Sequence, residues 1–280
     1  PARAIGPKNE VDLHCPDRYL CRMSATFRNV PLLPLLVALL FGLAAAPLTA
    51  QVSGARPAEY MIYQYPDVDL VVVIDAEEAE FDVQIMGPEK ALLNEAGITG
   101  RRLGPVYQYV DSAGLARQLM IKVNPERRID RSRISMELLQ MTGSDHSAVA
   151  QARAYKLLSH GMERSYTADT TTWAAKAYSL RNAARAFAEL GMEEMRLWSE
   201  YYSAHLILHE LNDHLPALER ARQIQRASVR AGFERVELLA LILEGDALMQ
   251  AGESADGKQS FARFESVHPV WQSVAELADR

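Results

Sequence analysis

The spacing of apolar residues changes at Gly143, and this change constrains the fold more than any single motif does. From Glu59 to about Gln140 the apolar runs are short and broken by turn residues. Leu119, Ile121 and Val123, and again Ile134, Met136 and Leu138, recur at every second position, the signature of a half-buried strand. Six short strands are expected, at Tyr60–Tyr65, Leu70–Ile74, Phe81–Met86, Val106–Val110, Gln118–Val123 and Ile134–Leu138, with one small helix near Glu89–Ala96. Pro66-Asp67, Gly87-Pro88, Gly104-Pro105, Ser112-Ala113-Gly114 and Asn124-Pro125 punctuate them as turns. A compact β-sandwich-like module over residues 59–140 follows from this pattern.

Beyond Gly143 the period is helical. Ala148–Met162, Thr172–Leu190, Glu193–Leu211, Pro216–Ala231, Glu234–Gln250 and Ala255–Val267 are helix-length segments separated by very short breaks. The breaks at Gly191, Asn212-Asp213, Gly232 and Gly252 fall 20 to 21 residues apart. Glycine there suits the left-handed position that ends a helix, and Glu193, Glu194 and Glu234 sit where acidic side chains favour the next helix start. A helix plus turn about every 20 residues makes a helical hairpin about every 40, and equal hairpins in sequence stack into a solenoid. A single bundle is the competing architecture. The expected fold class is therefore α+β and multi-domain, with residues 51–58 as linker, a small β-sandwich-like module at 59–140, and an all-α helical-hairpin solenoid at 144–280.

Within that array, Leu241, Gly245, Leu248, Gly257, Phe261 and Pro269 follow the offsets of a tetratricopeptide repeat, which the segment resembles. Glu244 stands where that pattern usually has Leu, and Phe264 where it usually has Ala. A weaker match runs through Tyr201, Ala204, His205, Leu208, Ala217, Ala221 and Ile224, with His205 at a position for a small residue. The resemblance covers about half the chain and implies that Leu241, Gly245, Leu248, Gly257, Phe261 and Pro269 pack the repeat. The wider layout is similar to the exported N-terminal regions of bacterial proteins that end in a CHAT domain, a caspase-like peptidase module. That family uses a His/Cys dyad, and no Cys follows Cys21 here, so no catalytic residue carries over to this chain. The helical pattern begun at Trp271 has no stop signal before Arg280, which leads to the expectation that sequence continues beyond it.

The first fifty residues carry a separate signal. Between Arg28 and Arg56 there is no charge, and Val30–Ala46 reads VPLLPLLVALLFGLAAA. Arg28, the Leu-rich run and Ala50 have the order of a secretory signal peptide, with Leu48 larger than usual before the cut. Met23 is its natural start, so residues 1–22 form a leader of separate status and 23–50 the signal. The rival reading is a membrane anchor, since Val30–Ala50 is long enough to span a bilayer. Both cysteines, Cys15 and Cys21, precede the cut, so the mature chain would carry neither disulfide nor thiolate.

Composition narrows the function classes. The chain is 49% apolar and 24% charged, which excludes an intrinsically disordered tail. Counting Lys, Arg, Asp and Glu gives +2 for residues 1–50 and −4 each for 51–143 and 144–280, a distribution that argues against nucleic acid as partner.

Clusters with chemical potential have plainer readings beside them. His205 and His209 share a helix face, with Glu210, Asp213 and His214 following, and could hold zinc with a third ligand. The intervening Leu-Ile-Leu lacks the general-base Glu of the metalloprotease motif, and two interfacial histidines explain the spacing. Ser144-Asp145-His146 contains triad residue types, but adjacent side chains cannot line up as nucleophile, base and orienter, and a helix N-cap explains them. Asp75, Glu77, Glu78, Glu80 and Asp82 form an acidic run without calcium-loop spacing, read as a solvated edge. Arg127, Arg128, Arg131 and Arg133 alternate with Glu126 and Asp130 as a charged turn. Trp198, Tyr201, Tyr202 and His205 are the candidate partner-binding side chains if their helix face is open, and core if it is covered.

The sequence therefore leads to an exported, non-enzymatic scaffold with no cofactor or metal, whose solenoid takes a protein or peptide ligand. The alternative is the regulatory front of a longer CHAT-type peptidase. It is expected in the periplasm or secreted, and touches a membrane only if residues 30–50 are retained. Translation from Met23 should give a precursor cut after Ala50, so N-terminal sequencing of the fractionated protein should read Gln51 in the soluble periplasm. A mature start before Val30 in an alkali-resistant membrane fraction would identify an anchor instead.

Overall fold

The computed structural model describes residues 48–51, 58–76, 81–97, 104–125, 133–142, 145–164, 169–252 and 256–259. It is an α+β fold with the β part first. Eight strands, β1 (Leu48–Gln51), β2 (Ala58–Gln64), β3 (Asp69–Ala76), β4 (Phe81–Met86), β5 (Leu92–Gly97), β6 (Val106–Val110), β7 (Arg117–Pro125) and β8 (Arg133–Met141), precede five long helices. These are α1 (His146–Met162), α2 (Thr170–Glu189), α3 (Glu193–His209), α4 (His214–Ala231) and α5 (Glu234–Gln250).

The strands form two antiparallel sheets in the orders β1-β8-β3-β6 and β2-β7-β4-β5. In the second sheet Phe81, Val83 and Ile85 of β4 and Leu119, Ile121 and Val123 of β7 are fully buried on one face. On its other face Met61, Met120, Met86 and Leu92 align across all four strands, Met61 and Leu92 at the edges being more than half exposed. The first sheet is covered on both sides along β3 and β6. Leu70, Val72 and Ile74 of β3 share a face with Val110, Gln108 and Val106, and Gln108 Nε2 donates to Val83 O (3.0 Å) in the opposing sheet. The opposite face of β6 presents Tyr107 to Tyr155 of α1, ring centroids 6.2 Å apart. Every residue of β6 is accordingly buried, and the layers run sheet, sheet, helices.

The six expected strands are present, each within a few residues of its expected bounds. The small helix expected near Glu89–Ala96 is not. Pro88–Lys90 is a single 3-10 turn in which Glu89 and Lys90 adopt left-handed φ values of 57° and 60°. Leu92–Gly97 then pairs with β4 as β5, with a register shift between Ile85 and Met86. The ladder offers that segment backbone partners and places Ala96 in the core, which outweighs the helix preference of Glu-Lys-Ala-Leu-Leu. β1 was also unexpected: Leu48–Gln51 pairs with β8, from Leu48 opposite Met136 to Gln51 opposite Arg133. This strand straddles the position after Ala50 at which the export reading places the cut.

The helices match their expected segments closely. Asp145 caps α1 by accepting from Ala148 N (2.8 Å), and Asp169 caps α2 by accepting from Thr172 N (2.8 Å). All four breaks are left-handed, with Gly191 at φ 69°, Asn212 at 53°, Gly232 at 76° and Gly252 at 82°. Each helix packs on the next, and α3 also packs on α1 and α5. Of the last expected helix, Asp256–Gln259 lies within the described residues and is helical; Phe261 and Pro269 lie outside them, as do residues 30–46 and the arginines at 127, 128 and 131.

Two glycines show how closely helices approach. A Cβ on Gly257 would sit 3.1 Å from Gly245 O, so these two glycines meet where a side chain would crowd the backbone. A Cβ on Gly161 of α1 would sit 2.6 Å from Leu180 Cδ2 of α2, and Leu180 is fully buried. Gly161→Ala should therefore lower the urea-derived unfolding free energy by about 1–2 kcal/mol, the overpacking outweighing the gain in helix propensity of up to about 1 kcal/mol.

Candidate functional site

The densest polar and aromatic arrangement lies where α1, α3 and α5 meet the first sheet. Along β3, residues 69, 71, 73 and 75 point to the helices, because Val71 and Val73 lie opposite Tyr109 and Tyr107. Asp69 accepts from the Tyr109 hydroxyl and from Ser112 N (2.6 Å). Burial raises the Asp69 pKa, but these hydrogen bonds outweigh it and hold the carboxyl below its usual value. At the other end of β3, Asp75 takes both terminal nitrogens of Arg235, the first residue after Glu234 in α5, with Nη2 at 2.7 Å from Oδ1. The Arg235 guanidinium also lies 5.7 Å from the centre of the Trp198 ring. Burial alone would lower the Arg235 pKa, yet the bond and charge of Asp75 leave it raised.

α3 supplies the aromatic part. Trp198 and Tyr202 stack with centroids 5.8 Å apart, as expected for positions i and i+4, and the Tyr202 hydroxyl donates to Pro105 O (2.5 Å). Gly104, at φ 137°, lets the backbone reach this pair: a Cβ there would stand 2.6 Å from the Tyr202 hydroxyl and 2.8 Å from Trp198. From α1, Ser159 Oγ accepts from Tyr109 N (2.9 Å) and from Asn94 Nδ2 (3.3 Å), tying both sheets to one helix. After α1, Arg164 N donates to Glu95 O (2.9 Å), Glu163 bridges to Ala96, and the Arg164 side chain pairs with Asp82. These contacts cover the Glu95–Ala96 end of the free side of β5. Burial pushes the Tyr155 pKa up to about 12 and that of Tyr107 well above its ordinary value.

The four candidate partner-binding residues are placed together but not on an open face. Trp198 is 3% exposed, Tyr201 2%, Tyr202 0% and His205 5%. All four are buried, and the 104–105 turn covers Trp198 and Tyr202. Of the two readings of this helix face, their burial agrees with the core one, and the partner-binding one has no exposed surface at these residues.

The other motifs fall as follows. The rings of His205 and His209 are 4.3 Å apart, and His209 Nε2 is 3.8 Å from Asp246 Oδ2 of α5. Among the described residues no group of three or more His, Cys, Asp and Glu is placed to hold a metal ion. Ser144 lies outside the described residues, while Asp145 is a cap and His146 begins α1. Of the acidic run, Asp75 and Asp82 make inter-element ion pairs rather than a solvated edge, and residues 77–80 lie outside the described residues. Of the residues expected to pack a repeat, Leu241, Gly245, Leu248 and Gly257 are buried.

Arg235 was missed from the sequence, although one signal was present. It is the only cation in α5, beside Val236 and shortly before the wholly apolar run Leu238–Leu243, and such a charge needs a partner. Asp75→Asn and Arg235→Gln should each cost about 2 kcal/mol in urea unfolding. The double variant should lose at least about 1 kcal/mol less than the sum, whereas additive losses would show that the pair is not coupled. No protein-family model matches the chain, and no curated protein matches it.

Proposed function

We propose that this chain is an exported, non-enzymatic scaffold in which a β-sandwich-like module braces a tetratricopeptide-like helical array that binds a protein partner. What carries this reading is the in-order packing of α1 to α5, closed by left-handed breaks at near-equal spacing, with Gly257 seated on Gly245 as the repeat resemblance requires. The face of α1, α3 and α5 that meets the first sheet is committed to it, so partner contact falls to the outward faces of α2 and α4. Those faces carry Tyr178 at 55%, Leu215 at 67% and Val229 at 51% exposure. On α4, Leu215, Arg222 and Val229 stand seven residues apart, so they follow one line along the helix.

A photo-crosslinking residue placed at Tyr178 or Leu215, in the full chain within its native host, tests the assignment. A discrete adduct at these positions, absent when the probe replaces Leu115 and lost on Val229→Asp, is expected. Adducts from Leu115 alone, or none at any position, would overturn it.

A further inference from the structure

We propose that β2 is the interface of a homodimer, pairing antiparallel with β2 of a second copy of this chain about a two-fold axis at Met61. β2 lies at the edge of the second sheet and pairs with β7 alone, so the backbone groups of its alternate residues have no ladder partner among the described residues. Edge strands are commonly guarded against pairing by Lys, Pro, a bulge or very short length. Over its seven residues β2 has none of these: its register against β7 is unbroken, and Glu59 is its only charge. Its centre reads Tyr60-Met61-Ile62-Tyr63, the composition of a strand with neighbours on both sides. Met61 and Tyr63 are more than half exposed on the outer face, and Tyr60 and Ile62 are only partly covered although they turn to the core.

The strand is complementary to itself, and this identifies the occupant as a second copy. About an axis at Met61, the facing pairs are Met61 with Met61, Glu59 with Tyr63, and Tyr60 with Ile62. Each Tyr63 hydroxyl then meets a carboxylate on the neighbouring strand, and the two Glu59 side chains stay apart. Lys122, opposite Glu59 in β7, flanks the same carboxylate from the other side. On the inner face Tyr60 and Ile62 cover each other twice, at the place where both are left partly open. On the outer face the axis continues the row of Met61, Met120, Met86 and Leu92 into the sheet of the second copy. A parallel pairing in register would instead set Glu59 beside Glu59, with like charges facing. β2 belongs to the layer farthest from the helices, so the inference is independent of the partner-binding reading of α2 and α4.

Sedimentation velocity of the full chain tests the pairing. Wild type at about 50 μM is expected at twice the chain mass. Met61→Lys sets two like charges opposite each other at the axis and should raise the dimer Kd at least about tenfold. Leu92→Lys, on the same apolar row but at the far edge of the sheet, should leave that Kd unchanged. Weakening by both variants would mean that the sheets stack face to face, and would overturn the proposal. In a Cys15→Ser/Cys21→Ser background, Met61→Cys should be joined into a covalent dimer by a short bismaleimide while Leu92→Cys should not, a readout that serves if the lysine variant does not fold. A monomeric wild type, which would leave this edge to an extended segment of another protein, overturns the assignment. So does a dimer that Met61→Lys leaves intact, or crosslinking at position 92 without crosslinking at 61.

Discussion

Burial of one sheet on both faces is the constraint on which the rest of this structure depends. β3 and β6 give alternate residues to the second sheet and to the helices, so neither strand can be moved by one residue without misplacing both sets. Gln108 illustrates the cost and its solution. Its side chain is fully buried, and it reaches across to Val83 O in the facing strand. Gln64 does the same at the corner, with Nε2 donating to Val68 O (2.9 Å) and Asp111 O (3.1 Å) while Arg117 donates to its Oε1 (2.7 Å).

With the middle layer pinned, the helices are placed by three different kinds of contact. Ser159 reaches the β6 backbone, Tyr202 the carbonyl before that strand, and Arg235 the end of β3. These come from α1, α3 and α5, the alternate helices, while α2 and α4 lie outside them. The alternation accounts for the contrast in character between neighbours. α5 is buried continuously from Leu238 to Leu248, whereas α4 buries only Ala217, Leu218, Ala221, Ile224 and Ser228. α5 is therefore packed on nearly every side, whereas α4 keeps an exposed outward face.

Local structure was largely legible in the sequence because periodicity reports on one face at a time. Leu119, Ile121 and Val123 lie buried together as their spacing requires, and Gly191, Gly232 and Gly252 end helices in the left-handed conformation that their type permits. Long-range partners were not legible. Nothing in Asp75 distinguishes it from the other acids of its run until Arg235, 160 residues later, arrives beside it. Trp198 and Tyr202 could be placed on one helix face, but only Gly104, with its hydrogen in place of a side chain, shows what fills that face. β5 was lost because Leu92-Leu93 does not alternate and the bulge opposite it erases the period-two pattern.

The 160-residue separation between Asp75 and Arg235 also bears on the order in which this molecule can be built. On a chain emerging from its N-terminus, both sheets can pair before α3 and α5 exist, so the helix-facing side of β3 and β6 spends that interval in water. Val71, Tyr107 and Tyr109 then form an unshielded apolar strip beside unfinished strand edges, the kind of surface on which growing chains associate with one another. Contacts of such high sequence separation are slow to close, because the loop entropy must be met before any of them forms. α1, which follows β8 after four residues and brings Ser159 to Tyr109, is the earliest element able to shield that strip. Its position in the chain shortens the exposed interval, and assembly of the remaining helices can proceed on a surface already half covered.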